Sequence, residues 1–151
     1  MLGLQFIIGA IQYAETDSLY YVWYSRNVDN HKYVTTYYAT SPNDIDWTLK
    51  GEVLPPGPSG AWDNSDNIAP YIVVTDGKYY LFYTSFCKGD LSTRHLGCAM
   101  AEMPAGSWQR FEKNPILRQS EGQRQGAIRR YHTGGSQDKL KLIRSHDKET
   151  H

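Results

Sequence analysis

The feature that most constrains this chain is a repeated aromatic run. Tyr20-Tyr21-Val22-Trp23-Tyr24 returns as Tyr79-Tyr80-Leu81-Phe82-Tyr83 at a spacing of 59 residues, Ala39 returns as Ala99 at 60, and Trp47 returns as Trp108 at 61. A spacing that drifts by single residues is what small loop-length differences between two copies of one unit produce.

Each copy reads as four strands. In the first, residues 6–14 and 19–25 read as apolar or aromatic strands, 33–40 as a β-branched and aromatic strand and 47–54 as a more polar one, separated by a turn through Asp17 and Ser18, a polar loop through Asn27, Asp29, Asn30 and His31, and a turn at Ser41-Pro42-Asn43-Asp44. In the second, the strands are 68–74, 79–86, 96–101 and 108–117. Asp76-Gly77 between two apolar runs is a hairpin signal, because Gly77 takes the positive φ that such a turn requires. In residues 19–25 both alternating faces are apolar or aromatic, so that strand is expected to be covered on both sides. Four strands per repeat of this size is the pattern of a β-propeller blade.

Charge divides the chain differently. Residues 1–117 hold 8 Lys and Arg against 12 Asp and Glu, whereas 118–151 hold 8 against 4, so an acidic body precedes a basic tail. The longest basic run is Arg129-Arg130, with no aromatic interleaving, and a nucleic-acid partner is not expected. The apolar start, residues 1–10, is too short to span a membrane and lacks the basic lead of a signal peptide; a strand is the simpler reading, and no membrane partner is expected. The first copy begins without the lead-in that the second has, which suggests an incomplete N-terminus and leaves the location open. Cys87 and Cys98 could face each other across a hairpin, but one pair without a spacing motif fixes neither a redox compartment nor a metal site. Neither a metal nor a cofactor is expected.

Ile68-Ala69-Pro70-Tyr71-Ile72 with Asp76-Gly77-Lys78-Tyr79-Tyr80-Leu81-Phe82-Tyr83, followed by Leu96-Gly97-Cys98-Ala99 and Gly106-Ser107-Trp108, resembles a blade of the five-bladed propeller glycoside hydrolases of family 43, whose wider clan includes families 32, 62, 68 and 117. Tyr38-Ala39-Thr40-Ser41-Pro42 and Asp46-Trp47-Thr48 resemble the passage from third to fourth strand in the preceding blade. The resemblance implies an all-β partial propeller of two four-stranded antiparallel blades, about 5–56 and about 62–117, within a body of 1–117. It also implies hydrolysis of glycosidic bonds in plant or algal oligo- and polysaccharides. There, carboxylates at the starts of inner strands converge on one sugar, one donating a proton and another activating water or attacking the anomeric carbon.

Carried over residue by residue, the implied site is incomplete. The family's acid directly before Pro is here Ala69. The nearest carboxylates are Asp66 and Asp63, which are the candidate catalytic residues, and Trp62, Asn67 and Tyr71 are the candidate sugar-binding residues. The competing reading makes 63–67 a loop whose side chains cap their own backbone, and Trp62 either stacks on a sugar or packs between blades. No Glu of the body stands in the family's acid motif.

After Leu117 the strand pattern stops, and 118–151 reads as an irregular basic tail. Ile128-Arg129-Arg130-Tyr131-His132-Thr133-Gly134-Gly135-Ser136 can be encoded by ATT CGA CGA TAC CAT ACT GGT GGA TCC. One base later those codons give Phe-Asp-Asp-Thr-Ile-Leu-Val-Asp-Pro, the acidic lead-in and Asp-Pro start that a third blade needs. A frame slip between about Gln119 and Ile128 would leave a non-native tail on a truncated hydrolase. Two blades supply at most two of the acids, and a five-bladed ring needs about 300 residues at this repeat length. Open blade edges then favour self-association. The rival reading is a non-catalytic carbohydrate-binding or interaction module.

Overall fold

The computed structural model describes residues 7–14, 17–29, 32–87 and 90–119, and among them there is no helix. Strands β1 (Ile7–Ala14), β2 (Leu19–Val28), β3 (Tyr33–Ser41) and β4 (Thr48–Leu54) form one antiparallel sheet in that order. Strands β5 (Asn67–Thr75), β6 (Lys78–Cys87), β7 (Asp90–Ala101) and β8 (Gln109–Arg110) form a second in the same order, with β9 (Leu117–Arg118) also pairing with β7. The two sheets are the two blades, and the all-β partial propeller expected from the sequence is what the chain forms.

The register confirms the repeat strand by strand. In blade 1 Val22 lies opposite Ala39, and Ala39 opposite Leu49. In blade 2 Leu81 lies opposite Ala99, and Ala99 opposite Arg110. The inner strands also agree: pairing slips between Ile8 and Ile11 in β1, and between Ile68 and Tyr71 in β5. In β5 the slip falls on Ala69-Pro70, since Pro70 has no N–H for the ladder, and Ala69 takes a φ of 54°. The β5–β6 hairpin closes at Asp76 and Gly77, with φ of 51° and 72°, the paired positive values of a tight two-residue turn.

Because side chains alternate across a strand, each blade has two faces. Blade 1 turns Tyr21 and Trp23 of β2, with Val53 and Leu54, toward blade 2; we name this side the front. Blade 2 meets it with Tyr79, Leu81 and Tyr83 of β6, Ile72 of β5 and Ala99 of β7, its back. Trp23, Leu81 and Tyr83 are wholly buried in this seam. On the front of blade 2 a second cluster gathers Val73, Phe82, Leu96, Cys98 and Ile116, flanked by Tyr71, Tyr80, Phe111 and Leu117.

Three details depart from expectation. The fourth strand of blade 2, predicted as continuous over 108–117, is split into β8 and β9. Between them the Asn114 amide takes the strand's place, its Oδ1 accepting from Cys98 N–H at 2.9 Å and its Nδ2 donating to Cys98 C=O at 2.8 Å, and Pro115 next to it has no N–H to offer. Strand β7 starts at Asp90 rather than at residue 96. The cysteines do not face each other: the hairpin register sets Cys98 opposite Phe82 and Cys87 opposite Asp90, and Cys98 is a free buried thiol. The expectation for the tail concerns residues that, after Gln119, lie outside the described ones.

Candidate functional site

The connector from β4 to β5, residues 55–66, carries Trp62, Asp63 and Asp66. Its shape is set by backbone bonds: Gly57 N–H donates to Asp63 C=O at 2.8 Å, and Ala61 N–H to Pro58 C=O at 3.0 Å. Asp63 is 1% exposed. Its Oδ2 accepts from Arg110 Nε at 2.6 Å, an ion pair, and from the Tyr83 hydroxyl at 3.1 Å. The guanidinium reaches on to the Pro55 carbonyl. Burial, with the Asp63 charge next in size, raises the Tyr83 hydroxyl pKa, so the phenol stays protonated and donates; Arg110 works in the opposite direction. A carboxylate so enclosed and paired is chemically occupied: it fastens the connector to blade 2.

Trp62 lies on the same blade. Its ring stacks on Tyr83 with centroids 5.8 Å apart and meets His95 edge-on at 6.1 Å. Gly97 makes room, for a β-carbon there would come within 2.5 Å of the indole and 2.6 Å of the Tyr83 ring. Trp62 thus belongs to the periphery of the inter-blade cluster while remaining half-buried.

Asp66 is placed otherwise. It is half-buried at the start of the inner strand, and its Oδ1 accepts from Val34 N–H of blade 1 at 2.8 Å. It heads a short polar zipper between the blades. The Thr36 hydroxyl donates to Asn67 C=O at 3.4 Å, Asn67 Nδ2 to the Leu54 and Pro55 carbonyls at 3.4 and 3.2 Å, and Ala69 N–H to Ser25 Oγ at 3.0 Å. Asn67 is completely buried, and its Oδ1 has no hydrogen-bond partner among the described residues. Tyr71 packs against the front cluster of blade 2, on the opposite face from Trp62.

The five sequence candidates therefore divide into three places: Trp62 with Asp63 at the Tyr83 pocket, Asp66 with Asn67 at the inter-blade zipper, and Tyr71 on the front of blade 2. Sequence reading missed Arg110, Tyr83 and Asn114, whose partners lie 47, 20 and 16 residues away in the chain. The one usable sign was that Arg110 replaces an aliphatic residue of the first repeat. Elsewhere, burial raises the pKa of Glu52, against hydrogen bonds from Tyr33 and Thr35 that lower it. Among the described residues no group of three or more His, Cys, Asp or Glu side chains converges.

Solved structures supply the comparison. The chain is similar to a family 117 glycoside hydrolase from the marine bacterium Zobellia galactanivorans, with a TM-score of 0.62 and 24% identity, over 74% of this chain and 33% of that one. A thermostable family 43 glycoside hydrolase matches with a TM-score of 0.59 and 30% identity, over 78% of this chain and 40% of that one. A family 43 β-xylosidase/α-arabinofuranosidase from a compost microbial metagenome, solved in complex with xylotriose, matches with a TM-score of 0.53 and 21% identity, over 70% and 34%. The chain thus spans between a third and two fifths of the length of these structures. No protein-family model matches the sequence, and the search of curated proteins found no match.

Proposed function

From the premise that this chain carries, in two blades, the propeller fold of the family 43 and family 117 glycoside hydrolases, we propose that it contributes a sugar-binding wall headed by Asp66 and does not hydrolyse glycosides by itself. The observation that carries this reading is the unequal state of the two candidate carboxylates. Asp63 is consumed by Arg110 and Tyr83, whereas Asp66 uses one oxygen on Val34 N–H, and among the described residues its Oδ2 accepts no hydrogen bond. A sugar hydroxyl can donate to that second oxygen. Glycoside hydrolysis needs a proton donor and a second carboxylate set across one anomeric carbon, and among the described residues Asp66 has no second carboxylate paired with it across such a site.

The ligand class is an oligosaccharide from plant or algal polysaccharide, in line with the xylotriose bound to the family 43 relative described above. Turnover then requires acids from further blades, whether encoded beyond a frame slip in the tail or supplied by another chain. The non-catalytic carbohydrate-binding module is the second reading, favoured by Ala69 standing where the family has an acid.

Incubation with xylo-, arabino- and galacto-oligosaccharides, with both released sugar and binding measured, tests the proposal. Binding without release supports it, as it does the module, and excludes an autonomous hydrolase. Release by the wild-type chain that disappears in Asp66→Asn would make it an autonomous hydrolase instead, and no binding to any glycan would remove the sugar-site reading.

A further inference from the structure

The row that crosses blade 2 at its Asp66 end holds a cation with unused donors. Phe86 N–H donates to Asp66 C=O at 3.4 Å, and Phe86 lies opposite Arg94 in the β6–β7 ladder, so Asp66, Phe86 and Arg94 stand on three successive segments. The Arg94 guanidinium lies over the Phe86 ring, its carbon 5.2 Å from the ring centroid. Such stacking occupies the flat face of the guanidinium and leaves its N–H donors, which point outward in the plane, to find other partners. Among the described residues the Arg94 side chain makes no ion pair, and its sheltered Nε has no hydrogen-bond partner. Arg110 is the contrast, its guanidinium taken up by Asp63 and the Pro55 carbonyl. Gln119 Oε1 accepts from the Arg94 backbone N–H at 2.9 Å, which fixes the strand and leaves the Arg94 side chain uncommitted.

We propose that Arg94 anchors an anionic group, the carboxylate or sulfate of an acidic sugar, in a subsite beside the one headed by Asp66. This rests on the sugar-binding reading and names its ligand class, an acidic oligosaccharide in place of a neutral one. Nε and a terminal nitrogen form a planar fork that matches two oxygens of a carboxylate or a sulfate. Arg94 is half-buried, so the fork is sheltered on the Phe86 side and open on the other. Adjacent strands lie about 4.8 Å apart, which sets Arg94 roughly 10 Å from Asp66 along the row, an interval that suits a sugar next to the one Asp66 holds. That distance is also about one Debye length at physiological salt, so the Asp66 charge repels an anion at Arg94 only weakly. Arg118, exposed and opposite His95, adds a second positive charge at the same end of the blade.

Calorimetric titration of the full chain tests it with matched probes: a xylo-oligosaccharide with and without a glucuronate branch, and a galacto-oligosaccharide with and without sulfate. At least one charged probe is expected to bind about tenfold or more tightly than its neutral partner, the difference one charge-assisted pair makes. Which pair shows it tells carboxylate from sulfate. Arg94→Gln is expected to erase the preference and keep the neutral affinity. Lys50→Gln, which removes an equal charge from the exposed surface of blade 1, is expected to change neither. Circular dichroism checks each fold, and Arg94→Met, which keeps the stem against the Phe86 ring, replaces Arg94→Gln if the latter does not fold. Equal affinity for charged and neutral probes, or a preference that survives in the folded Arg94 variant, overturns the proposal. Failure of the Asp66 reading looks different: an Arg94-dependent preference with affinities untouched in Asp66→Asn would keep the anion subsite and remove the wall headed by Asp66. No binding of any probe overturns both.

Discussion

Blades 1 and 2 share a register and differ in what they hold. Opposite Tyr24 blade 1 has Tyr37, and the two rings fill the space together at 6.3 Å; opposite the matching Tyr83 blade 2 has Gly97, and the vacated space takes Trp62 of the connector. Opposite Ala39 blade 1 has the exposed Leu49; opposite Ala99 blade 2 has Arg110, which pairs with Asp63 of the same connector. Two substitutions within one repeating frame thus turn an ordinary blade into one that grips the segment leading to Asp66. Sequence position within the repeat sets the fold; the departures from the repeat position the candidate site.

The matched pairs allow this contrast to be broken position by position. The largest effect is expected at the seam. Leu81→Ala leaves a cavity between the blades and should cost about 3 kcal/mol in urea unfolding, whereas Val22→Ala at the equivalent position on the half-open back should cost under about 1 kcal/mol. Equal losses at the two positions would mean that the backs of the blades are equally covered. Next, Arg110→Ala strands the Asp63 carboxylate; because the guanidinium side chain is 31% exposed, the expected loss is discounted to about 2 kcal/mol. Leu49→Ala, its repeat counterpart, should stay within about 0.5 kcal/mol.

Gly97→Ala is expected to cost about 1 to 2 kcal/mol, since its methyl group meets the Trp62 and Tyr83 rings. The tryptophan emission should shift red as Trp62 is displaced, and an unchanged spectrum would remove Gly97 from the account. The smallest contrast is alkaline. Burial pushes the Cys98 thiol up from 9.0 to about 12, so the folded pKa lies above the unfolded one. The associated stability is complete below about pH 9 and is lost as pH rises toward 12. Cys98→Ala should flatten that decline; Tyr38, which holds the corresponding place in blade 1, contributes no thiol. An identical alkaline slope in the variant would rule out the thiol as a source of the decline.

Much of this architecture was legible in the sequence, because a repeat of aromatic strands survives single-residue changes in loop length. The spacings of 59, 60 and 61 reappear as the matched rows Val22, Ala39, Leu49 and Leu81, Ala99, Arg110. Local signals held where they were local: Asp76-Gly77 turns, and Pro70 interrupts its ladder. What stayed hidden depended on partners far along the chain. Asp63 reads as a loop acid until Arg110 is brought to it, and a glycine such as Gly97 does not disclose in sequence that it makes room for a tryptophan. The split of the last strand was equally hidden, for it depends on the Asn114 amide reaching both backbone groups of Cys98.

The central claim is that Asp66, not Asp63, is the carboxylate left available to a sugar. Calorimetric titration of a xylo- or galacto-oligosaccharide into wild type, Asp66→Asn and Asp63→Asn tests it most directly. Asp66→Asn is expected to lose binding by roughly tenfold or more, the loss of one charge-assisted hydrogen bond of about 1.5 to 3 kcal/mol, while Asp63→Asn loses stability but, where folded, keeps its affinity. Unchanged affinity in Asp66→Asn, or affinity lost only in folded Asp63→Asn, would contradict it.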